Sequence, residues 1–151
     1  KWDRTLIEEG HAIVHACIRR DQPGPFQIQA AIQAVHCDAA SFEVTDWSQI
    51  ITLYDHLYSF MPTPVVALNR AIAVGEVEGP DAALVALDAI AADLDGYHLL
   101  HAARGTTLRR LGQTDAARAA YERAADLVVT DLDRRFLEQQ IEELGEATVS
   151  R

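Results

Sequence analysis

Residues 98 to 129 place small and aromatic residues at spacings that favour a pair of closely packed helices. Two glycines stand seven residues apart and are followed by alanine, tyrosine, alanine and leucine at regular intervals: Gly105, Gly112, Ala117, Tyr121, Ala124 and Leu127. A glycine within a helix permits close approach of a neighbour, and a glycine between helices supplies the backbone freedom of a turn. The pattern therefore predicts two antiparallel helices, with Tyr121 filling the space between them and with Ala117 and Ala124 buried.

This register is that of a tetratricopeptide (TPR) unit, a helix-turn-helix repeat of about 34 residues. A weaker copy lies upstream at Gly79, about one repeat length before Gly112, and a third ends at Pro62, which stops a helix. We therefore predict a single domain over residues 1–151. Its fold class is all-α, an α-α superhelix of TPR-like helix-turn-helix repeats with about eight helices. Such proteins bind or scaffold other proteins more often than they catalyse reactions.

Apolar residues at three- and four-residue spacing and capping residues mark where the helices lie. β signals are absent. Eight helices are expected. The first two cover 6–18 and 26–35, the third follows the Thr45-Asp46 cap, and the fourth runs from Pro64 to about Val74. The fifth starts at Pro80, the sixth runs from after Gly96 to Leu111, the seventh starts at a Thr114 cap, and the eighth follows Thr130. The final helix resembles the closing helix that a repeat stack requires.

The charge balance argues against nucleic acid as a partner of this segment. The chain has 23 acidic and 13 basic residues, a net charge of −10, whereas a surface that follows phosphates needs an excess of Lys and Arg. The longest uncharged stretch, 22–37, contains two prolines and four glutamines, so no membrane span is expected. Without a secretory signal, and with only Cys17 and Cys37, we expect a cytoplasmic protein with buried, reduced thiols. The oligomeric state stays open.

Few residue patterns here indicate catalysis. Glu8, His11 and His15 share one helix face, but their spacing matches neither a zinc-protease motif nor a di-iron motif, and packing or surface histidines are the simpler interpretation. A glycine-rich phosphate loop, a nucleophile elbow and a Cys-x-x-Cys pair are all missing from the sequence. We therefore expect no enzyme activity, no catalytic residues, no metal and no cofactor.

The densest polar run in the sequence is 95–104. Tyr97, His98, His101 and Arg104 follow one edge of the predicted sixth helix. A second pair, Asn69 and Arg70, occupies the middle of the fourth, where repeat proteins present side chains to a groove. Two interpretations stay open: these six residues form an interaction or regulatory surface, or the polar groups of the sixth helix hydrogen-bond the preceding loop and hold it in place.

Five stretches of the chain, 2–10, 22–32, 45–55, 64–71 and 95–104, carry a family resemblance. They resemble the C-terminal extension of a group of bacterial extracytoplasmic-function (ECF) RNA polymerase sigma factors, the group encoded beside small YCII-like proteins. That group carries a TPR-like domain after two sigma regions that bind polymerase and promoter DNA. The resemblance implies a regulatory domain that contacts its own sigma regions or core RNA polymerase, with both sigma regions outside this chain. The chain departs from the family at Gly105-Thr106-Thr107, where Ala and Leu are favoured, and the departure predicts looser packing there.

A second function from a different class stays open. In this alternative the chain is a small-molecule-sensing or hydrolase-like helical domain, with a pocket around His98, His101 and Arg104. A closed core filled with side chains between the helices would favour the interaction domain instead.

Overall fold

In the computed structural model, which describes residues 24–38 and 45–149, the chain forms seven α-helices and no strand. The helices are α1 (Pro25–Asp38), α2 (Trp47–Phe60), α3 (Pro64–Val77), α4 (Pro80–Ala89), α5 (His98–Arg110), α6 (Thr114–Leu127) and α7 (Asp131–Val149). The all-α prediction is confirmed. The helix expected over 6–18 lies outside the described residues.

The chain divides into two compact units, Lys1–Ala73 and Val74–Arg151, and the boundary falls inside α3. In the first unit α1 packs against α2. In the second unit α5 packs against both α4 and α6, and α6 packs against α7. Length and repeat pattern predict one domain, whereas the internal contacts of the chain group into these two units.

Several helices begin where the sequence supplies a capping residue or a proline. The Asp46 side chain accepts a hydrogen bond from the Gln49 backbone N–H at 2.9 Å and caps α2. At α3, Pro64 occupies the first position, and Thr63 Oγ1 accepts from the Val66 N–H at 3.4 Å. One predicted cap is shifted by a residue. Gln113 occupies the cap position of α6 without a side-chain bond, and Thr114 is the first helical residue.

The turn between α5 and α6 depends on Gly112, whose φ of +73° lies in the left-handed region. The Gly112 N–H donates to the Arg109 carbonyl at 3.0 Å, and the Gln113 N–H donates to the Leu108 carbonyl at 3.0 Å. These two bonds form a Schellman motif, which satisfies the last carbonyls of a helix and reverses the chain. The turn therefore pairs α5 and α6 as the glycine spacing predicts.

The core of the second unit is built around Tyr121, which is 1% exposed. A Cβ atom added at Gly105 would lie 2.6 Å from Tyr121 Cδ1, so only glycine leaves room for the ring at this position. The Tyr121 hydroxyl lies 3.0 Å from Thr106 Oγ1 and forms a hydrogen bond with it. Because of these contacts, the looser packing expected at Gly105-Thr106-Thr107 is wrong. Ala117 and Ala124 are both 0% exposed, as predicted.

The first unit has a separate apolar core. It combines residues of α1, α2 and α3, namely Ile28, Ile32, Ile50, Leu57, Val66 and Ala73. Partly buried aromatic residues pack against this core, among them Trp47 and Tyr54. Cys37 is a free thiol and lies exposed in the last turn of α1, so the expectation of a buried thiol is wrong for this residue.

Candidate functional site

A cleft of about 630 Å³ opens in the second unit between α4, α5 and α6. Its apolar lining comes from all three helices and includes Leu84, Leu100, Leu108, Ala116 and Ala120. Its polar lining consists of Asp95, His101, Arg104, Gln113 and Arg123. The cleft thus has an apolar base beneath groups that carry both signs of charge.

The polar groups of the cleft are held by defined contacts. His101 Nε2–H donates a hydrogen bond to the Asp95 backbone carbonyl at 2.7 Å. The Asp95 carboxylate accepts from Arg123 Nη2 at 3.3 Å. Arg104 forms an ion pair with Asp88 at the end of α4. These bonds connect α5 and α6 to α4 and to the loop that precedes α5.

Of these contacts, that of His101 is the one expected if the polar groups of α5 hold the preceding loop, whereas that of Arg104 reaches α4 instead of the loop. Both contacts leave ligand binding possible, because the two carboxylates are accessible: the side chain of Asp88 is 54% exposed and that of Asp95 is 71% exposed. Exposed ion pairs contribute only about 0–1 kcal/mol. An incoming acidic group can therefore replace either carboxylate at low cost in free energy.

Two departures from the repeat pattern border the cleft. The TPR pattern runs Trp-x-x-Leu-Gly in its first helix, and the matching residues here are His101, Arg104 and Gly105. A polar imidazole and a flexible guanidinium stand where a large apolar pair packs in the consensus. Three of the α6 residues that line the cleft are alanines, Ala116, Ala119 and Ala120, and the fourth is Arg123. Alignment with the consensus reveals the missing apolar pair on α5, although the cleft itself also requires α4 and α6.

The six predicted site residues do not form one surface. Only His101 and Arg104 line the cleft. Tyr97 caps α5, and its ring meets that of His98 edge to face at 5.6 Å between centroids, outside the cleft lining. Asn69 and Arg70 belong to the first unit. There Arg70 Nε donates to Asp55 Oδ1 at 2.6 Å.

Asn69 lines a second concavity, a groove of about 480 Å³ between α1, α2 and α3 within the first unit. The ten described residues of its lining contain no charged side chain; they include Phe26, Gln29, Gln33, Tyr54 and Val65. Burial raises the pKa of the Tyr54 phenol above its ordinary value. The phenol therefore stays neutral at physiological pH. We call this concavity the neutral groove.

Ser, Thr and Cys side chains and clusters of metal ligands are absent from the described lining of both concavities. The described lining residues include no Ser, Thr or Cys that could act as a nucleophile. Over residues 24–38 and 45–149, no cluster of three His, Cys, Asp or Glu is suited to a metal ion. Glu8, His11 and His15 fall outside the described residues. Within the same ranges, every helix is too short or too polar to traverse a lipid bilayer.

Comparison with known proteins identifies the fold. The chain is similar to the first TPR domain of the human RPAP3 protein, solved by NMR, with a TM-score of 0.65 and 20% identity; the match covers 84% of this chain and 96% of that one. MamA residues 41 to the end from Desulfovibrio magneticus RS-1 gives a TM-score of 0.54 and 15% identity, with 96% of each chain covered. The chain therefore has a TPR-like α-α repeat fold.

One relative shares more of the sequence. An uncharacterized protein of Rhizobium meliloti (strain 1021) is 41% identical over 144 residues, which cover 95% of this chain and 34% of the relative. This chain thus spans about a third of that protein's length. No known family profile matches the chain.

Proposed function

We propose that this chain is the C-terminal regulatory and protein-interaction domain of a bacterial ECF-type RNA polymerase sigma factor. In this role it acts in the cytoplasm, contacts its own sigma regions or core RNA polymerase, and controls transcription initiation without enzyme activity. Three findings support the proposal: the five sequence stretches that resemble such extensions, the TPR-like fold, and a bacterial relative in which the matching region is one third of a longer chain.

The observation that carries the proposal is where the resembling stretches lie in the fold. Stretches 22–32, 45–55 and 64–71 contribute Phe26, Tyr54 and Asn69 to the neutral groove. Stretch 95–104 contributes His101 and Arg104 to the cleft of the second unit. Four of the five stretches therefore line concave surfaces, which is where a domain of this fold meets its partners.

The charge of the chain fits a partner that binds DNA. Sigma regions that contact promoter DNA need basic surfaces, and this chain carries a net charge of −10. Opposite net charges favour association and raise the rate of encounter. An acidic domain that covers a basic DNA-binding surface would reduce promoter binding until a signal releases it.

The proposal is tested with the parent polypeptide, by which we mean the product of the gene that encodes this chain. Core RNA polymerase, the parent polypeptide and a promoter selected by that polypeptide are combined in a run-off transcription assay, with and without residues 1–151. We expect the parent polypeptide to bind core polymerase and the deletion to change transcript yield. A parent polypeptide that does not bind core polymerase would rule out the sigma-factor assignment.

A second function deserves a test because the cleft of the second unit is large enough for a small ligand. Small-molecule sites are concave, mostly apolar and equipped with a few polar groups, and the cleft has Leu84, Leu100, His101 and Arg104 in this arrangement. Under this alternative, at least one small carboxylate in a thermal-shift screen would bind the cleft and raise the melting temperature of the chain. The rise would disappear in Arg104→Ala.

A further inference from the structure

We propose that the neutral groove binds an uncharged, extended segment of a partner protein, with one large apolar side chain inserted between α1, α2 and α3. The inference specifies a partner class for the interaction function proposed above and rests on that function, but not on the sigma-factor assignment. Four observations carry it: the neutral lining, the unpaired carboxamides, their spacing and the apolar floor.

The lining of the groove selects against charged partners. Its ten described residues include no acidic or basic side chain, although 24% of the chain is charged. The nearest charged residues in sequence, Asp55 and Arg70, neutralise each other in an ion pair with Nε to Oδ1 at 2.6 Å. A charged group that entered the groove would lose hydration and would find no ionic partner among these ten residues, which is unfavourable. The groove therefore complements a neutral segment.

Three carboxamide side chains line the groove: Gln29 and Gln33 of α1 and Asn69 of α3. None of them has a hydrogen-bond partner among the described residues. A carboxamide both donates and accepts, as a peptide group does. An extended segment has free main-chain N–H and C=O groups, whereas a helical segment has already paired its own. The three carboxamides therefore favour an extended occupant.

The spacing along α1 matches such an occupant. Gln29 and Gln33 are four residues apart on one helix face, a rise of about 6 Å along the axis. In an extended chain, residues that point the same way recur every second residue, about 6.6 Å apart. The two glutamines can therefore contact two main-chain groups on the same side of one extended segment.

The floor and edge of the groove supply apolar contact. Ile32 and Leu57 are each 2% exposed and form part of the floor. Phe26 at the edge is 81% exposed and Val65 is 41% exposed. When an apolar side chain of a partner covers both the edge and the floor, apolar surface is removed from water and the free energy of binding becomes more favourable. One Leu-sized or Phe-sized side chain can therefore anchor the segment.

The test uses the whole chain and capped heptapeptides in which a central Leu or Phe is flanked by Ser, Thr and Gln. Two matched sets replace two flanking residues with Asp or with Lys, and a fourth set carries N-methylated main-chain groups. Binding is measured by fluorescence polarisation. We expect the neutral set to bind, and each other set to bind at least about tenfold more weakly, because each loses a main-chain hydrogen bond or introduces an unpaired charge.

Matched variants locate the binding site on the chain. Gln33→Glu adds a charge and removes a donor inside the groove, whereas Gln49→Glu makes the same change at an exposed glutamine of α2 outside the lining. We expect Gln33→Glu to weaken binding of the neutral set about tenfold and Gln49→Glu to leave it unchanged, with both variants folded by circular dichroism. The proposal is overturned if no set binds, if charged or N-methylated sets bind as tightly as the neutral set, or if the two variants behave alike. Binding here together with failure of the run-off assay would retain the peptide site and reject the sigma-factor assignment.

Discussion

The α5–α6 pair and the α1–α3 region show opposite uses of small and large residues. In the pair, Gly105 lies so close to the buried ring of Tyr121 that a Cβ would not fit, and Ala117 belongs to the same core. In the α1–α3 region, the large apolar residues Phe26 and Val65 are exposed beside an open groove. The residues of the repeat pattern in the α5–α6 pair are therefore buried against one another, whereas large apolar residues beside the groove of the α1–α3 region stay accessible to a partner.

The largest effect is expected from removing the ring on which the α5–α6 pair depends. Tyr121→Ala should lower the free energy of unfolding by about 3–5 kcal/mol, because it leaves a cavity in a packed core. Tyr58→Ala is the control, since Tyr58 is 43% exposed, and it should cost far less. Urea denaturation of both variants measures the difference. Equal costs would mean that Tyr121 does not hold the core of the second unit.

The next effect comes from overfilling the same interface. Ala117 is 0% exposed, so Ala117→Leu should cost about 1–3 kcal/mol by forcing α5 and α6 apart. Ala119→Leu makes the same change at an exposed position of the same helix and should be nearly neutral. If Ala117→Leu is as stable as Ala119→Leu in urea denaturation, the close packing of the pair is not what stabilises it.

A smaller net effect is expected at Gly105. A Cβ there would lie 2.6 Å from the Tyr121 ring, and the strain of about 1–3 kcal/mol is partly offset by the higher helix propensity of Ala, about 1 kcal/mol. The strain depends on the ring, so the cost of Gly105→Ala should shrink in a Tyr121→Leu background. A double-mutant cycle measures this coupling. Additive costs would show that the two residues do not meet.

These contrasts explain how much of the molecule the sequence could predict. Gly112, Pro64 and Asp46 act through their own backbone or the next few residues, so the sequence alone predicts the nearby helix ends and turns closely. Gly105 and Tyr121 follow a known repeat register, so their contact was predicted as well, although the tightness at Thr106 was not. The cleft needs residues from α4, α5 and α6 together, and no local pattern reports such a combination.

The predicted site residues show the same limit. Three-residue steps placed His98 beside His101 and Arg104 on the helix surface, but the cleft takes only the last two because α4 and α6 flank that part of α5. By itself, the uncharged stretch 22–37 argues only against a membrane span. The glutamines of this stretch can be recognised as part of a groove only when α1 lies beside Asn69 of α3, and that arrangement depends on the tertiary fold.

A still smaller effect on stability is expected from the cleft. Arg104 and Asp88 form an ion pair whose side chains are 27% and 54% exposed, so Arg104→Ala should lower the free energy of unfolding by less than about 1 kcal/mol. Asp88→Ala is the matched change on the other partner. Urea denaturation measures both. A loss of several kcal/mol in either variant would indicate that the cleft is part of the structural core.

No measurable effect is expected with nucleic acid. Binding to DNA is driven by Lys and Arg side chains that neutralise phosphates and release counterions. Because this chain has a net charge of −10, the isolated chain should not bind duplex DNA at physiological salt. A gel-shift titration with a salt series checks this. Micromolar, salt-dependent binding would contradict the charge argument and give this segment a direct role at the promoter.

The measurement that tests the regulatory proposal most directly compares function and folding in the same variants. Each variant of the parent polypeptide is assayed for run-off transcription and for melting temperature. The variants carry single alanine substitutions at Asn69, Arg70, Tyr97, His98, His101 and Arg104. Charge-assisted hydrogen bonds contribute roughly 1.5–3 kcal/mol each, enough to shift a balanced regulatory equilibrium about tenfold or more. We predict that some of these variants change transcript yield while their melting temperatures stay unchanged. If yield and melting temperature fall together in all six, these residues serve the fold alone, and the regulatory contact is contradicted.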